Sequence, residues 1–132
     1  MDVEAAAGTV IDAAIEVHRL LGPGLLENAY ELCLAHELSL RGVSFVRQKC
    51  LPVVYKDYQV EDAYRVDLLV ENCLLVELKS VEKMTDVHMA QVLTYLKLSD
   101  LQLGLLLNFN TTLMKHGIRR VVHNYHPSSS CS

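Results

Sequence analysis

The sequence predicts an α/β domain, a mixed central sheet flanked by helices in the order α-α-β-β-β-α-β, and three features carry that expectation. Apolar residues recur at helical spacing along residues 3–41. From Val43 the period shortens to that of strands, and a third helical stretch near residues 86–98 separates two runs of Leu and Val. No repeat, linker or low-complexity segment divides the 132 residues. Residues 1–125 are therefore expected to form one domain, and residues 126–132, which include PSSSCS, a flexible tail.

Val10, Ala13, Ala14, Val17, Leu20 and Leu21 place the first helix over residues 3–21, where Gly22-Pro23-Gly24 stops it. The second is expected from about Leu25 to Arg41, with Leu25, Ala29, Leu32, Cys33 and Leu40 as its apolar positions and Gly42 as C-terminal cap. Strands follow at Val43 to Lys49, Pro52 to Lys56, Val60 to Val70 and Cys73 to Leu78, with turns at Lys56 to Gln59 and at Glu71-Asn72. Thr85 or Asp86 would cap a third helix reaching about Leu98, with Met89, Val92, Leu93 and Leu96 as its stripe. Leu103 to Phe109 reads as a buried strand and Ile118 to Val122 as a short last one.

Hydrophobic residues make up 51% and charged residues 21% of the chain, the balance of a soluble globular protein, and no apolar run approaches the ~20 residues that span a bilayer. MDVEAAAG carries acids where a signal peptide would carry bases, so a cytoplasmic setting is expected. Cys33, Cys50, Cys73 and Cys131 form no CxxC pair and are expected to be reduced; His123 and His126 form an HxxH without the second ligand pair of a structural zinc site. The net charge of −4 argues against a nonspecific nucleic-acid coat. Its distribution is uneven. Residues 1–40 hold seven acids and one base, residues 41–132 nine acids and eleven bases, so any phosphate-facing surface belongs to the second part.

RVDLLVENCLLVELKS, residues 65–80, sets Asp67, Glu77 and Lys79 among leucines and valines, where an unpartnered charge is expensive. Strand alternation puts Glu77 and Lys79 on one face, and Asp67 with Arg65 and Leu69 on one face. A two-residue loop at Glu71-Asn72 would set Asp67 opposite Val76. A three-residue loop including Cys73 would set it opposite Glu77, although Cys73 is poorly suited to the positive φ that commonly ends such a loop. Two adjacent carboxylates repel unless a cation neutralises them, and carboxylate and carbonyl oxygens suit Mg²⁺ or Mn²⁺. The same residues also read as a plain Asp67–Lys79 or Glu77–Lys79 ion pair.

With Gly24-Leu25-Leu26-Glu27-Asn28-Ala29-Tyr30, then Asp67, then Glu77-Leu78-Lys79, then HMAQVLTYLK at residues 88–97, the chain resembles the GxxExxY protein family, a branch of the PD-(D/E)XK nuclease superfamily. The resemblance runs from about residue 8 to residue 122. It implies a restriction-endonuclease-like core and a Mg²⁺- or Mn²⁺-dependent phosphodiesterase acting on DNA, or less favourably RNA. Asp67, Glu77 and Lys79 would be catalytic; Glu27, Asp67, Glu77 and the Leu78 carbonyl would hold the metal. Tyr30, His88, Gln91, Tyr95 and Arg65 would position substrate. Read without the resemblance, Glu27 is a first-turn acid favoured by the helix dipole, and His88, Gln91 and Tyr95 are a polar ridge. The superfamily's name implies a Pro before the Asp, whereas the residues here are Arg65-Val66-Asp67. A homodimer would suit so small a domain, and the alternative function is a catalytically silent module that binds a protein or nucleic acid.

Overall fold

The computed structural model describes residues 1–126, so most of the expected tail, and Cys131, lie outside the described residues. Its elements are α1 (Val3–Leu21), α2 (Glu27–Leu40), β1 (Phe45–Tyr55), β2 (Tyr58–Val70), β3 (Leu74–Lys79), α3 (Asp86–Ser99), β4 (Leu103–Asn108), a 3-10 turn (Met114–Gly117) and β5 (Ile118–Val122). The five strands lie in chain order across one mixed sheet. β1–β2–β3 and β4–β5 are antiparallel, while β3 and β4 are parallel because α3 carries the chain across between them.

Helix α1 forms where expected: the Asp2 carboxylate accepts from the Ala5 N–H (2.7 Å), and Gly22, with φ of 67°, closes the other end. Val10, Ala13, Ala14 and Val17 are buried, whereas Leu20 and Leu21 are exposed. In α2 the buried stripe is Tyr30, Leu34 and Leu38, spaced by four, with Glu31 and Ala35 beside it. Leu32, Leu40 and Cys33 face outward, against expectation, because the helix is apolar on two sides and the four-spaced set takes the core.

The two strands expected over residues 43–56 are one, β1. Pro52 does not break it, because β1 is an edge strand and Pro52 falls at the irregularity between Leu51 and Val53 in its ladder with β2. The turn to β2 is correspondingly tight, at Lys56-Asp57.

The sheet separates two apolar layers. On one face α1 and α2 pack over Leu68, Val70, Leu74, Val76, Leu78, Leu103, Leu105 and Leu107. On the other, α3 brings Val92 and Leu96 against Val66, Leu75, Leu106 and Val121. Asn108, at the end of β4, is buried and ties that strand to the segment after β3: its amide donates to the Val81 carbonyl (2.9 Å) and accepts from the Val81 N–H (3.1 Å). Gly117 passes so close to Asn108 that a Cβ there would overlap the Asn108 carbonyl. Cys33 and Cys50 are free thiols, but Cys73 is disulfide-bonded, which corrects the expectation of a reduced thiol there. No helix among the described residues is long and apolar enough to cross a membrane.

Candidate functional site

β2 and β3 form a hairpin in the register that pairs Val70 with Leu74, Leu69 with Leu75 and Leu68 with Val76. The next step outward brings Asp67 to Glu77. The loop is thus the three-residue one, and its positive φ values fall on Glu71 and Asn72, leaving Cys73 in ordinary backbone.

Beyond Leu68 and Val76 the backbone ladder ends and the strands fork. Side chains fill the gap. The Asp67 N–H donates to Glu77 Oε1 (2.9 Å), and Asp67 Oδ2 accepts from the Leu78 N–H (2.9 Å). The Lys79 carbonyl instead accepts from the Phe109 N–H on the β4 side (3.0 Å). Since the N–H and C=O of one strand residue point to the same side, the Leu78 carbonyl faces the fork along with its N–H.

The fork coincides with a break in β2. Val66 belongs to the α3-side layer and Leu68 to the other, although a regular strand would put them on one face. Asp67 therefore cannot share a face with both Arg65 and Leu69, as a regular strand would have it. In β1 the ladder pairs Arg47 with Leu68 and Lys49 with Val66 and skips Gln48 and Asp67 between them. Gln48 there has φ of 52°, a left-handed conformation that costs a non-glycine residue about 1 kcal/mol or more.

That twist lets two consecutive β1 side chains meet one carboxylate. Arg47 donates to Glu31 Oε2 through Nε (3.1 Å) and Nη2 (2.8 Å), and Gln48 Nε2 donates to Glu31 Oε1 (2.7 Å) and to Asp67 Oδ1 (3.2 Å). Glu31 is marked in the sequence by its place beside Glu27 and Tyr30 on one helical face, whereas Gln48 carries no sequence signal.

Burial, and then the charge of Asp67, push the Glu77 carboxyl from 4.5 up to about 8. Glu27, the first residue of α2, is raised by burial, lowered by Lys79 and raised by Asp67 and Glu31, so it looks into the same fork from the helix. Lys79 forms no ion pair within 4 Å with Asp67 or Glu77, so the plain ion pair that the sequence also allowed is not formed. Among the described residues no three His, Cys, Asp or Glu side chains converge into a ready-made metal cage. What the fork holds is a hard-oxygen donor set, two carboxylates and a carbonyl, with an unneutralised repulsion that a divalent cation would relieve. The donor chemistry fits Mg²⁺ or Mn²⁺.

The remaining predicted positions divide. Tyr95 and Gln91 lie together on α3, Gln91 Nε2 donating to the Tyr95 hydroxyl (2.9 Å). Tyr95 stacks on Tyr64 of β2 (4.3 Å between ring centroids), and the charge of Glu77 helps to raise its pKa after burial. Tyr64, which the sequence reading missed, keeps a buried hydroxyl with no hydrogen bond, and burial lifts it to about 12. Arg65 is exposed, while His88 closes a capping box, its Nδ1 accepting from the Thr85 N–H (3.1 Å). Tyr30 does not reach the fork. Its ring is fully buried on Phe109, and its hydroxyl donates to the Gly22 carbonyl (2.6 Å) and accepts from the Leu25 N–H (3.1 Å), so it clamps the turn that delivers Glu27 instead of touching substrate.

The sequence profile of the PD-(D/E)XK nuclease superfamily matches residues 4–121, a span that includes every part of the fork. No curated protein and no solved structure matches the chain.

Proposed function

The chain belongs to the PD-(D/E)XK nuclease superfamily, and we propose that it hydrolyses phosphodiester bonds of DNA, with RNA the less favoured substrate, using Mg²⁺ or Mn²⁺ at the β2–β3 fork. Its motif from Gly24 to Tyr30 supports a reading within the GxxExxY branch. Asp67, Glu77 and the Leu78 carbonyl would hold the cation, with Glu27 completing the set. The observation that carries this reading is the juxtaposition of Asp67 and Glu77 in one gap, with Lys79 beside them and in no ion pair with either.

When bound, a divalent cation would supply a water nucleophile near neutral pH. The Lys79 ammonium would orient the attacking water in line with the scissile bond and stabilise the charge growing on the phosphate. Arg65 offers an exposed guanidinium to a backbone phosphate. Tyr95 and Gln91 form the polar face of α3 on the Glu77 side, with Tyr95 stacked on Tyr64 of β2. The competing reading, a silent binding module, is favoured by the lack of three converging ligand side chains among the described residues.

Nicking of plasmid and single-stranded DNA with Mg²⁺ or Mn²⁺, compared with EDTA and with Lys79→Ala, decides between them. Cleavage should need the cation and fall about 10²–10³-fold in Lys79→Ala, while the Mn²⁺-dependent rise in melting temperature persists. Absence of cleavage and of any Mn²⁺ effect in the wild type would leave the silent module standing.

A further inference from the structure

We infer that Gln48 is a positioning residue for Asp67, spanning from the anchored carboxylate of Glu31 to the carboxylate in the fork. Its single Nε2 serves both, at 2.7 Å to Glu31 Oε1 and 3.2 Å to Asp67 Oδ1. Glu31 is a fixed point because it is 3% exposed and its other oxygen is gripped twice by Arg47. Asp67 in turn accepts the Leu78 N–H on Oδ2, so each of its oxygens is held from a different element. A planar amide with one hydrogen on each carboxylate fixes the rotation of Asp67 as well as its place.

The backbone gives independent support. Side chains of consecutive strand residues point to opposite faces, so Arg47 and Gln48 could not both meet Glu31 from a regular strand. The left-handed conformation at Gln48 makes it possible, and it occurs where the β1–β2 ladder skips Gln48 and Asp67. Backbone strain held at the β1 residue whose amide reaches Asp67 as well as Glu31 supports a positioning role. For its catalytic meaning the inference rests on the cation reading of the fork; the geometry stands without it.

The test uses Gln48→Gly, since glycine adopts this φ freely while the amide is removed with the rest of the side chain. In the metal-free protein, the Leu78 amide should exchange with solvent at least about tenfold faster than in the wild type, while Leu75 and Val76 keep their protection and the melting temperature changes little. Gln48→Asn tolerates the same backbone but is one methylene short, so it should move Leu78 in the same direction if the glycine variant folds poorly. With Mn²⁺, the concentration giving half the melting-temperature rise should increase about 10–100-fold. Unchanged Leu78 exchange in both variants would overturn the positioning role. A wild type that shows no Mn²⁺ effect would remove the cation reading instead, and the Leu78 measurement would still decide this one.

Discussion

Glu31 and Glu77 are buried to the same degree, at 3% and 4% exposure, but the regions around them treat a carboxylate in opposite ways. In the seam between α2 and β1, Glu31 meets three side-chain N–H donors from Arg47 and Gln48. In the β2–β3 fork, Glu77 has one backbone N–H and a neighbouring carboxylate. Burial raises both, yet in the seam Arg47 pulls back against it, whereas in the fork the Asp67 charge adds to it and carries Glu77 to about 8. One region spends its polar groups on holding a charge still. The other holds a carboxyl that gives up its proton only reluctantly, a proton that a cation could displace.

The largest effect that could break this contrast is a difference in sign. Glu31→Gln should destabilise the protein by about 1–3 kcal/mol, since Arg47 loses a charged partner at a half-buried position. Glu77→Gln has nearly the same volume change but should stabilise the metal-free protein at pH 8.5 by about 1–3 kcal/mol, because it removes a repulsion. Urea unfolding of the two variants measures both; equal losses would mean that the two carboxylates do the same work.

The pH dependence sharpens the same contrast. Because the folded Glu77 carboxyl titrates above its unfolded value of 4.5, its contribution is fully present below that value and is lost as pH rises through about 8. Metal-free wild type should therefore weaken between pH 5 and pH 8.5, as read from urea midpoints. Glu77→Gln should retain only the shallower slope left by Glu27 and Glu31, both also raised. Mn²⁺ affinity should run the other way and rise over this window, since the ion displaces the Glu77 proton.

The smallest effect concerns Tyr30, which belongs to neither region. Tyr30→Phe keeps the stack on Phe109 and loses the two hydrogen bonds at Gly22 and Leu25, so thermal unfolding should show a loss of about 1–2 kcal/mol.

The sequence made the elements legible because their signals are local: Gly22-Pro23-Gly24 ends α1, and the switch of period at Val43 announces the strands. The Asp67–Glu77 pair was legible only conditionally, since the hairpin register depends on where three φ values fall, and Glu71 is not a residue from which positive φ would be guessed. Gln48 was not legible, nor was its meeting with Glu31. Their meeting depends on a left-handed residue inside a strand with no Gly, Asn or Pro at that position to mark it, and on two elements brought together by the tertiary fold. Tyr30 was misassigned for a related reason: its spacing from Glu27 puts both on α2, but only packing reveals that Phe109 waits on one side of that helix.

The contact between Gly117 and Asn108 carries a lesson in heredity. Asn108 lies beside Lys79 in the β3–β4 pairing and holds Val81, two residues past Lys79. A mutant allele that adds even one methyl group at position 117 must displace Asn108, and with it the strand end on which Lys79 sits. Inactivating lesions in such a chain can therefore arise far along the gene from any charged codon of the fork, and would be misread as neutral by a map of the charged residues alone.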